Sequence, residues 1–422
     1  MLVDLCIRNY KSLRDVRLHN LPPFSVMVGA NASGKSNFVD ALDFLSFVGR
    51  SGLAAAVRAK GGYENICFRR IRRSRAEISF ELTAHIEDEI PSLGRRMKAR
   101  TIPLDFRLIF AFRAPTGAMV TDYKVTREHL SVVRSGRPEA RLEIERDADG
   151  GKRVHIADEF QRDVPMPSQR YLDEFFQAMP LQEDELSWYT GLRTMYPFWA
   201  FTELLGACRV YHISPEMARQ PGIPERSPEL GRHGENLPAT VEFLKRTQPE
   251  AFNELLSHLR HAVDTMEGVE TSYLDTNELG LFFRERGVGA RWYAQDVSDG
   301  TVRVVGMFLA LLDPRTRILA IEEPENSLHP WILRHFVDVC KAHSQTKQIL
   351  LTTHSPVALD AVPVESLFLV RRSNGETVIE RVQTEYPEAK TVIEEALFGL
   401  GQYWDSGGIG AVPEVAAEGV SE

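Results

Sequence analysis

Apolar and polar positions along this chain alternate in two periods, and the period changes from block to block. Period-two alternation, which is typical of β-strands, covers residues 2–7 and 13–18 near the start. Longer runs of the same kind follow at 78–86, 103–112, 119–133 and 141–156, and a turn at Asp149-Gly-Gly predicts a hairpin in the last one. These consecutive runs predict a mostly antiparallel β lobe.

Helical spacing dominates the middle of the chain, and strands and helices alternate in its last third. Residues 168–205 are helical in pattern and rich in aromatic side chains, and two amphipathic helices meet near Pro249. A helix at 300–312, a strand at 317–321, a helix from Pro330 and a strand at 348–352 then follow one another. Such alternation favours a largely parallel sheet covered by helices. Strands at 367–372 and 378–382 flank Asn374-Gly375, a hairpin turn.

The stretch GANASGKS, residues 29–36, fits the phosphate-loop pattern G-x-x-x-x-G-K-[ST]. It lies between a predicted buried strand at 24–28 and a predicted helix, which is the context that this motif needs. Gly29 and Gly34 let the backbone N–H groups point inward at phosphate oxygens. Lys35 would reach the β- and γ-phosphates, and the Ser36 hydroxyl would ligate Mg²⁺. The stretch therefore predicts a nucleotide site with ATP and Mg²⁺ as its ligands.

Paired acids follow an apolar strand later in the chain. Glu322 and Glu323 come directly after residues 318–321, at the strand end where open α/β sheets bind ligands. We expect Glu322 to hold Mg²⁺, directly or through water, and Glu323 to orient and polarise the attacking water. The alternative is a solvated acidic loop, since Glu325 follows.

Two further features have a structural and a functional interpretation. Ser298 and Gly300 open the helix at 300–312, where they form either an anion site or a plain helix cap. His354 comes directly after a buried strand. A histidine in that position is usually structural, but together with a phosphate loop and paired acids it is a candidate γ-phosphate sensor.

Composition limits the class of protein. The chain has 422 residues, 43% hydrophobic and 26% charged, with a formal charge of −9, so a globally basic nucleic-acid binder is disfavoured. Its four cysteines lie far apart, which argues against a structural metal site. No apolar run approaches 18 residues, and Asp4 and Arg8 argue against a signal peptide, so we expect a cytoplasmic protein without a membrane partner. One local basic segment, 69–75, is a candidate for binding polyphosphate backbones.

Taken in order, these motifs resemble the ATP-binding-cassette (ABC) ATPases, specifically the RecF/SMC-type heads and above all the OLD-like predicted AAA-family ATPases that lack a Toprim domain. The segments that carry the resemblance are IRNYKSLRDV, VMVGANASGKSN, VSDGT, ILAIEEPENSLHP and TTHSP. The resemblance implies an α/β P-loop NTPase fold with a mainly parallel core sheet, an antiparallel β lobe and a helical insertion. It also implies a head that forms a head-to-tail homodimer on ATP, with nucleotide between one phosphate loop and the other subunit's residues 298–300.

The resemblance assigns roles residue by residue. Catalytic roles fall to Glu323 and His354, and Mg²⁺ would bind Ser36 and Glu322. The nucleotide-binding set is Gly29, Asn31, Ser33, Gly34, Lys35, Ser36, Asn37, Ser298 and Gly300. Two departures stand out: the first acid is Glu322 where most cassette ATPases have Asp, and no glutamine lies between the phosphate loop and Gln161, so the family's Q-loop residue has no equivalent here.

The predicted organisation has five parts. Residues 1–50 form the N-terminal part of the ATPase core, 51–165 the antiparallel lobe, 166–290 a mainly helical insertion, 291–412 the C-terminal part of the core and 413–422 a flexible tail. The leading hypothesis is an ATP hydrolase that gates a partner in DNA repair or anti-phage defence, and a separately encoded nuclease or effector and DNA are candidate partners. The alternative is a RecF-like DNA-binding clamp in which ATP only controls nucleic-acid engagement. An intrinsic nuclease is disfavoured, because too few residues follow His354 for a Toprim domain.

Overall fold

A computed structural model describes residues 1–68, 76–90, 100–115, 123–147, 149–387 and 399–409. The chain divides into two compact units, each assembled from separate segments. The first unit comprises Met1–Pro23, Ser36–Arg209 and Arg372–Ile379, and the second comprises Phe24–Lys35, Val210–Arg371 and Glu380–Glu422. The basic segment 69–75 and the tail 413–422 lie outside the described residues. The five-part division stays a prediction.

Sixteen strands occur in the described segments. They are β1 Leu2–Tyr10, β2 Leu13–Leu18, β3 Phe24–Val28, β4 Ile78–Ile90, β5 Arg100–Arg113, β6 Lys124–Arg134, β7 Arg137–Arg146, β8 Lys152–Ile156, β9 Cys208–Tyr211, β10 Met266–Tyr273, β11 Leu279–Glu285, β12 Arg291–Tyr293, β13 Ile318–Glu322, β14 Gln348–Thr353, β15 Leu367–Ser373 and β16 Glu376–Arg381.

The helices of the same segments vary from one turn to almost five. They are α1 Lys35–Ser51, α2 Leu53–Ala59, α3 Tyr63–Ile66, α4 Asp158–Asp163, α5 Gln169–Ala178, α6 Ser187–Leu192, α7 Phe198–Gly206, α8 Pro215–Ala218, α9 Leu237–Thr247, α10 Pro249–Ala262, α11 Asp299–Leu312, α12 Pro330–His343, α13 Pro356–Leu359, α14 Val382–Glu385 and α15 Leu400–Asp405.

A seven-stranded sheet dominates the first unit, in the order β2-β1-β4-β5-β6-β7-β8. Its neighbouring strands pair antiparallel, as the alternating runs predicted. Alternate residues of β4 and β5 are buried, and Phe80 and Phe110 stack with ring centroids 5.3 Å apart. Phe44 of α1 stacks on Phe80 at the same distance, so α1 covers this apolar face. The antiparallel β lobe is confirmed.

The aromatic residues of 168–205 form short helices with a packed interior, as their pattern favoured. Trp188, Phe198 and Phe201 are buried, and Phe201 stacks on Phe106 of β5 at 4.9 Å. Tyr171 departs from this pattern, because it is 54% exposed.

A six-stranded sheet holds the phosphate loop, in the order β16-β15-β3-β14-β13-β9. Strands β15, β3, β14 and β13 run parallel to one another. Every residue of β3 and β13 is buried, since both faces of a parallel sheet are covered. Asn374 and Gly375 have φ of 51° and 82°, which gives the predicted tight turn between β15 and β16.

A small sheet of three strands, β10-β11-β12, lies where the sequence analysis assigned no strands. Val269, Leu281 and Phe283 are buried on one of its faces. Strand β10 has two buried apolar residues, β11 has three and β12 has none, so the period-two signal is short. The helices α9 and α10 pack against β10 and supply the burial that this weak alternation needs to form a sheet.

Candidate nucleotide site

Three parallel strands end at the same level and deliver the predicted site residues to one edge of the sheet. Met27, Thr352 and Glu322 are register partners across β3, β14 and β13. The chain leaves these strands into the phosphate loop, the loop of His354 and the loop of Glu323. The carboxyl edge of the sheet therefore brings together the residues that the sequence analysis expected there.

The phosphate loop is a tightly curled segment that depends on its glycines. Gly34 has φ of 113°, in the region that L side chains rarely adopt, and Ala32 has φ of 61°. A Cβ added to Gly29 would lie 2.0 Å from the carbonyl oxygen of Val370, so no side chain fits there. The amide of Ser33 donates to the carbonyl of Ala30 at 3.2 Å, which closes the turn. The loop thus forms a backbone cradle.

Lys35 lies inside this cradle. Its side chain donates to the carbonyl oxygens of Gly29 at 2.6 Å and Ala30 at 3.0 Å, and the residue is 5% exposed. Burial lowers the pKa of Lys35, and the charges of Glu323 and Glu325 oppose that shift. The phosphate-loop cation and the acids that follow β13 therefore feel each other's field, as a nucleotide site requires.

The other predicted phosphate-loop residues differ in their environment. Asn31 is exposed and Ser33 is buried. Ser36 and Asn37 begin the second segment of the first unit, and Ser36 is exposed. The Asn37 side-chain amide donates to the Ser12 hydroxyl at 2.6 Å, so this structure shows Asn37 holding β2's start rather than reaching toward the loop. The nucleotide contacts of these residues stay predictions.

Glu322, the first of the paired acids, is 5% exposed and forms an ion pair that the sequence analysis did not foresee. The guanidinium of Arg232 donates to its Oε1 at 2.6 Å. Carboxylate and hydroxyl oxygens are ligands that Mg²⁺ accepts, so the chemistry of Glu322 and Ser36 fits the predicted ion. Among the residues that the structure describes, no group of three or more His, Cys, Asp or Glu is arranged to hold a metal.

Hydrogen bonds from several directions hold Glu323 in an uncommon backbone conformation. Its φ is 47°, its amide donates to the carbonyl of Thr352 at 2.9 Å, and its own carbonyl accepts from Arg303 at 2.7 Å. The side-chain amide of Asn326 donates to its carboxylate Oε2 at 3.0 Å. Strained conformations persist only where the surroundings impose them, and here the backbone partners do so.

Glu325 holds the loop that carries His354. Its Oε1 accepts from the Thr353 hydroxyl at 2.9 Å and from the His354 amide at 2.8 Å. The ring Nδ1 of His354 lies 3.2 Å from the same Oε1 and 4.0 Å from Glu323 Oε1. Glu325 thus positions the backbone at His354, whereas the sequence analysis mentioned it only as a sign of a solvated acidic loop.

Ser298 is the N-cap of α11, as the interpretation of this segment as a plain helix cap predicted. Its hydroxyl accepts from the amide of Thr301 at 3.2 Å. A Cβ on Gly300 would lie 2.8 Å from the carbonyl oxygen of Ser327, so this helix start packs closely on the loop that follows Glu323. Arg219 pairs with Asp299 at 2.6 Å and fixes the segment further. The cap does not decide between the two interpretations, since a capped helix start also presents N–H groups.

The sequence analysis gave no role at the site to three arginines that contact its residues: Arg219, Arg232 and Arg303. Arg303 is 3% exposed and donates to the carbonyls of Ile213 at 2.6 Å and Glu323 at 2.7 Å. Its signal was a single cation within the apolar run 302–312. A buried cation in such a run needs a polar partner. Arg232 had no comparable signal, because it lies in a loop already rich in charge.

The fold and the site define a P-loop NTPase, with the phosphate loop, acids and histidine on one sheet edge. The chain belongs to the family described as "AAA domain, putative AbiEii toxin, Type IV TA system", whose model matches residues 24–360. It is also similar to the OLD nuclease of Thermus scotoductus, at 30% identity over 176 residues. That alignment covers 39% of this chain and 33% of the relative, so the chain spans about a third of the nuclease's length.

Solved structures similar to this chain are heads of SMC proteins. The SMC head domain from Thermotoga maritima is 14% identical with a TM-score of 0.38, and the match covers 90% of this chain and 98% of that chain. The Smc head domain from Pyrococcus furiosus, bound to the C-terminal domain of ScpA, is 14% identical with a TM-score of 0.46, over 94% and 99% of the two chains. Within the described segments, no helix is long and apolar enough to cross a membrane.

Proposed function

We propose that this chain is an ATP hydrolase that dimerises head to tail on ATP and gates a partner. The observation that carries the proposal is the common end of strands β3, β14 and β13, which lead into the loops of Lys35, His354 and Glu323 at one edge of the parallel sheet. The buried ammonium suits the β- and γ-phosphates, and the backbone cradle suits their oxygens.

Hydrolysis follows from the acids in this arrangement. Glu323 accepts a hydrogen bond from the attacking water, whose oxygen forms the new bond to the γ-phosphorus while the β–γ bridging bond breaks. His354, whose backbone is held by Glu325, contacts the γ-phosphate from the neighbouring strand end. Bound Mg²⁺ supplies neutralisation of phosphate charge, with Ser36 and Glu322 as its protein ligands. Replacing Glu323 by Gln should lower turnover by about two to four decades while ATP still binds.

The proposal names the class of partner protein and the biological process in general terms. The toxin–antitoxin family and the nuclease relative support DNA repair or anti-phage defence, with a separately encoded nuclease or effector as the gated partner. The clamp-type alternative requires a surface that binds DNA. Its candidate is the basic segment 69–75, which lies outside the residues that the structure describes.

A mixing experiment tests the shared site. Lys35→Ala removes the phosphate-loop cation, and Ser298→Arg fills the helix start that we assign to the other subunit's γ-phosphate. Each variant alone should be inactive. A dimer of one of each has one composite site with both defects and one with neither. Turnover should therefore return in the mixture, to about half of wild type per mixed dimer when the sites fire independently.

Two controls make the result decisive. Mixed dimers are confirmed by co-purification of differently tagged variants with Mg-ATP, and each variant is shown by circular dichroism to be folded. A silent mixture that contains mixed dimers means either that the two sites are strictly coupled or that Ser298 acts in its own subunit, and the second outcome leaves Ser298 as a helix cap. Full turnover by Lys35→Ala alone contradicts the nucleotide site itself.

A further inference from the structure

The ion pair between Arg232 and Glu322 lies where the proposed reaction needs a different cation. Glu322 is the first acid after the core strand and is 5% exposed, while the Arg232 side chain is 31% exposed. The guanidinium donates to Glu322 Oε1 at 2.6 Å. A carboxylate this buried needs a positive partner to offset the loss of its contacts with water. In this structure Arg232 supplies that partner.

Arg232 is presented by a loop whose backbone is fixed. The amide of His212 donates to the Arg232 carbonyl at 2.8 Å, and the amide of Ser214 donates to the His233 carbonyl at 2.9 Å. Gly234 has φ of 92°, and a Cβ there would lie 2.9 Å from the Cβ of Ala218. These contacts hold the backbone in place. Replacement of Arg232 by Mg²⁺ at Glu322 therefore involves rotation of the Arg232 side chain alone.

We propose that Arg232 is an internal counter-ion of Glu322 that Mg-nucleotide has to displace. The inference rests on the proposed function, since it concerns the predicted Mg²⁺ ligand. A guanidinium and Mg²⁺ on one carboxylate repel each other, and the effect is strong at a site this shielded from water. Arg232 and Mg²⁺ therefore compete for Glu322. The arginine holds the acid in place in the absence of nucleotide and raises the Mg²⁺ concentration that loading requires.

The direction of the effect separates this role from a merely structural one. A competitor that is removed lets Mg²⁺ bind at a lower concentration. A residue that only holds Glu322 in place has the opposite effect, because its loss disorders the ligand. Arg232→Gln removes the charge and keeps a hydrogen-bonding side chain, which makes it the informative variant.

The experiment measures binding of the non-hydrolysable analogue AMP-PNP by calorimetry across a series of Mg²⁺ concentrations. Mn²⁺ replaces Mg²⁺ in a parallel series read by electron paramagnetic resonance, which reports the metal directly. Arg232→Gln should lower the half-saturating metal concentration about ten- to a hundredfold, the size of one charge-assisted contact. In a Glu322→Gln background the same change should have no further effect, since the carboxylate for which the two cations compete is gone.

Arg315→Gln is a matched control. Its pair with Asp313 has side-chain exposures of 28% and 8%, against 31% and 7% for Arg232 and Glu322, and the closest contact is 2.7 Å against 2.6 Å. This control should leave the metal dependence unchanged. Arg232→Lys keeps a positive charge and should shift the half-saturating concentration less than Arg232→Gln, which covers the case of a poorly folded glutamine variant.

The outcomes are distinct. An unchanged or raised half-saturating concentration in folded Arg232→Gln overturns the counter-ion role and leaves the proposed function standing. The same decrease in Arg315→Gln also overturns it, since the effect would then be general. A wild-type chain that binds no AMP-PNP at any Mg²⁺ concentration overturns this inference together with the proposed function.

Discussion

Replacing Arg303 by Met should weaken the fold and slow hydrolysis together. Arg303 is 3% exposed on α11 and donates to two carbonyls, those of Ile213 and Glu323. Burial lowers its pKa, and the charges of Glu325, Glu323 and Glu216 oppose that shift. Methionine has a similar length and no charge, so it fills much of the space and removes both hydrogen bonds.

The magnitude follows from these two contacts. Each hydrogen bond from a charged donor is worth about 1.5–3 kcal/mol, and the carbonyls left without that donor add a desolvation cost. Relief from burying a guanidinium offsets part of the loss. We expect a net decrease of about 2–4 kcal/mol in the free energy of unfolding, a large fraction of the roughly 5–15 kcal/mol typical of a domain.

The functional consequence concerns Glu323. Its φ of 47° is maintained in part by the contact from Arg303 to its carbonyl, so the carboxylate loses its fixed position when that contact is removed. Turnover should fall at least tenfold, while binding of AMP-PNP changes less, since Lys35 and the cradle are untouched.

Urea unfolding followed by tryptophan fluorescence and steady-state ATPase assays measure the two effects. Arg303→Lys is the companion variant: it keeps the charge but cannot donate to both carbonyls in a fixed fork, so it should restore stability better than turnover. A methionine variant with an unfolding free energy within about 0.5 kcal/mol of wild type, the range of an ordinary surface substitution, and with full turnover would refute the reasoning.

Two other predictions test packing and pH dependence. Gly300→Ala places a Cβ 2.8 Å from the backbone oxygen of Ser327, so it should lower the free energy of unfolding by about 1–3 kcal/mol and reduce turnover more than nucleotide binding. Gly306→Ala on the same helix meets only the side chain of Ile213 at 3.1 Å and should be less destabilising. Equal melting temperatures for the two variants would contradict this account. Burial lowers the pKa of both His258 and His335, so the unfolded chain binds more protons as pH falls below about 6.5 and stability should decrease on acidification. Urea titrations at several pH values should show a shallower decrease for His258→Phe, and an identical slope would exclude His258 as a contributor.

Much of the site was predictable because its chemistry is contiguous in the chain. The phosphate loop needs two glycines, a lysine and a serine within eight residues, and the backbone curl at Gly34 is a local property. The paired acids follow four apolar residues, and a buried strand that ends in acids places them at a sheet edge. The alternating runs likewise predicted the antiparallel lobe, since a period of two is a direct consequence of strand geometry.

The tertiary structure decided which charges meet. Arg232 and Glu322 are 90 residues apart, and nothing in the local pattern of either loop indicates their contact. The same holds for Arg303, whose partners Ile213 and Glu323 come from different loops. The strands β10, β11 and β12 formed because helices cover their few apolar positions. Periodicity reports how each segment can bury its own apolar face, whereas ion pairs and weak sheets depend on what the remainder of the chain brings to them.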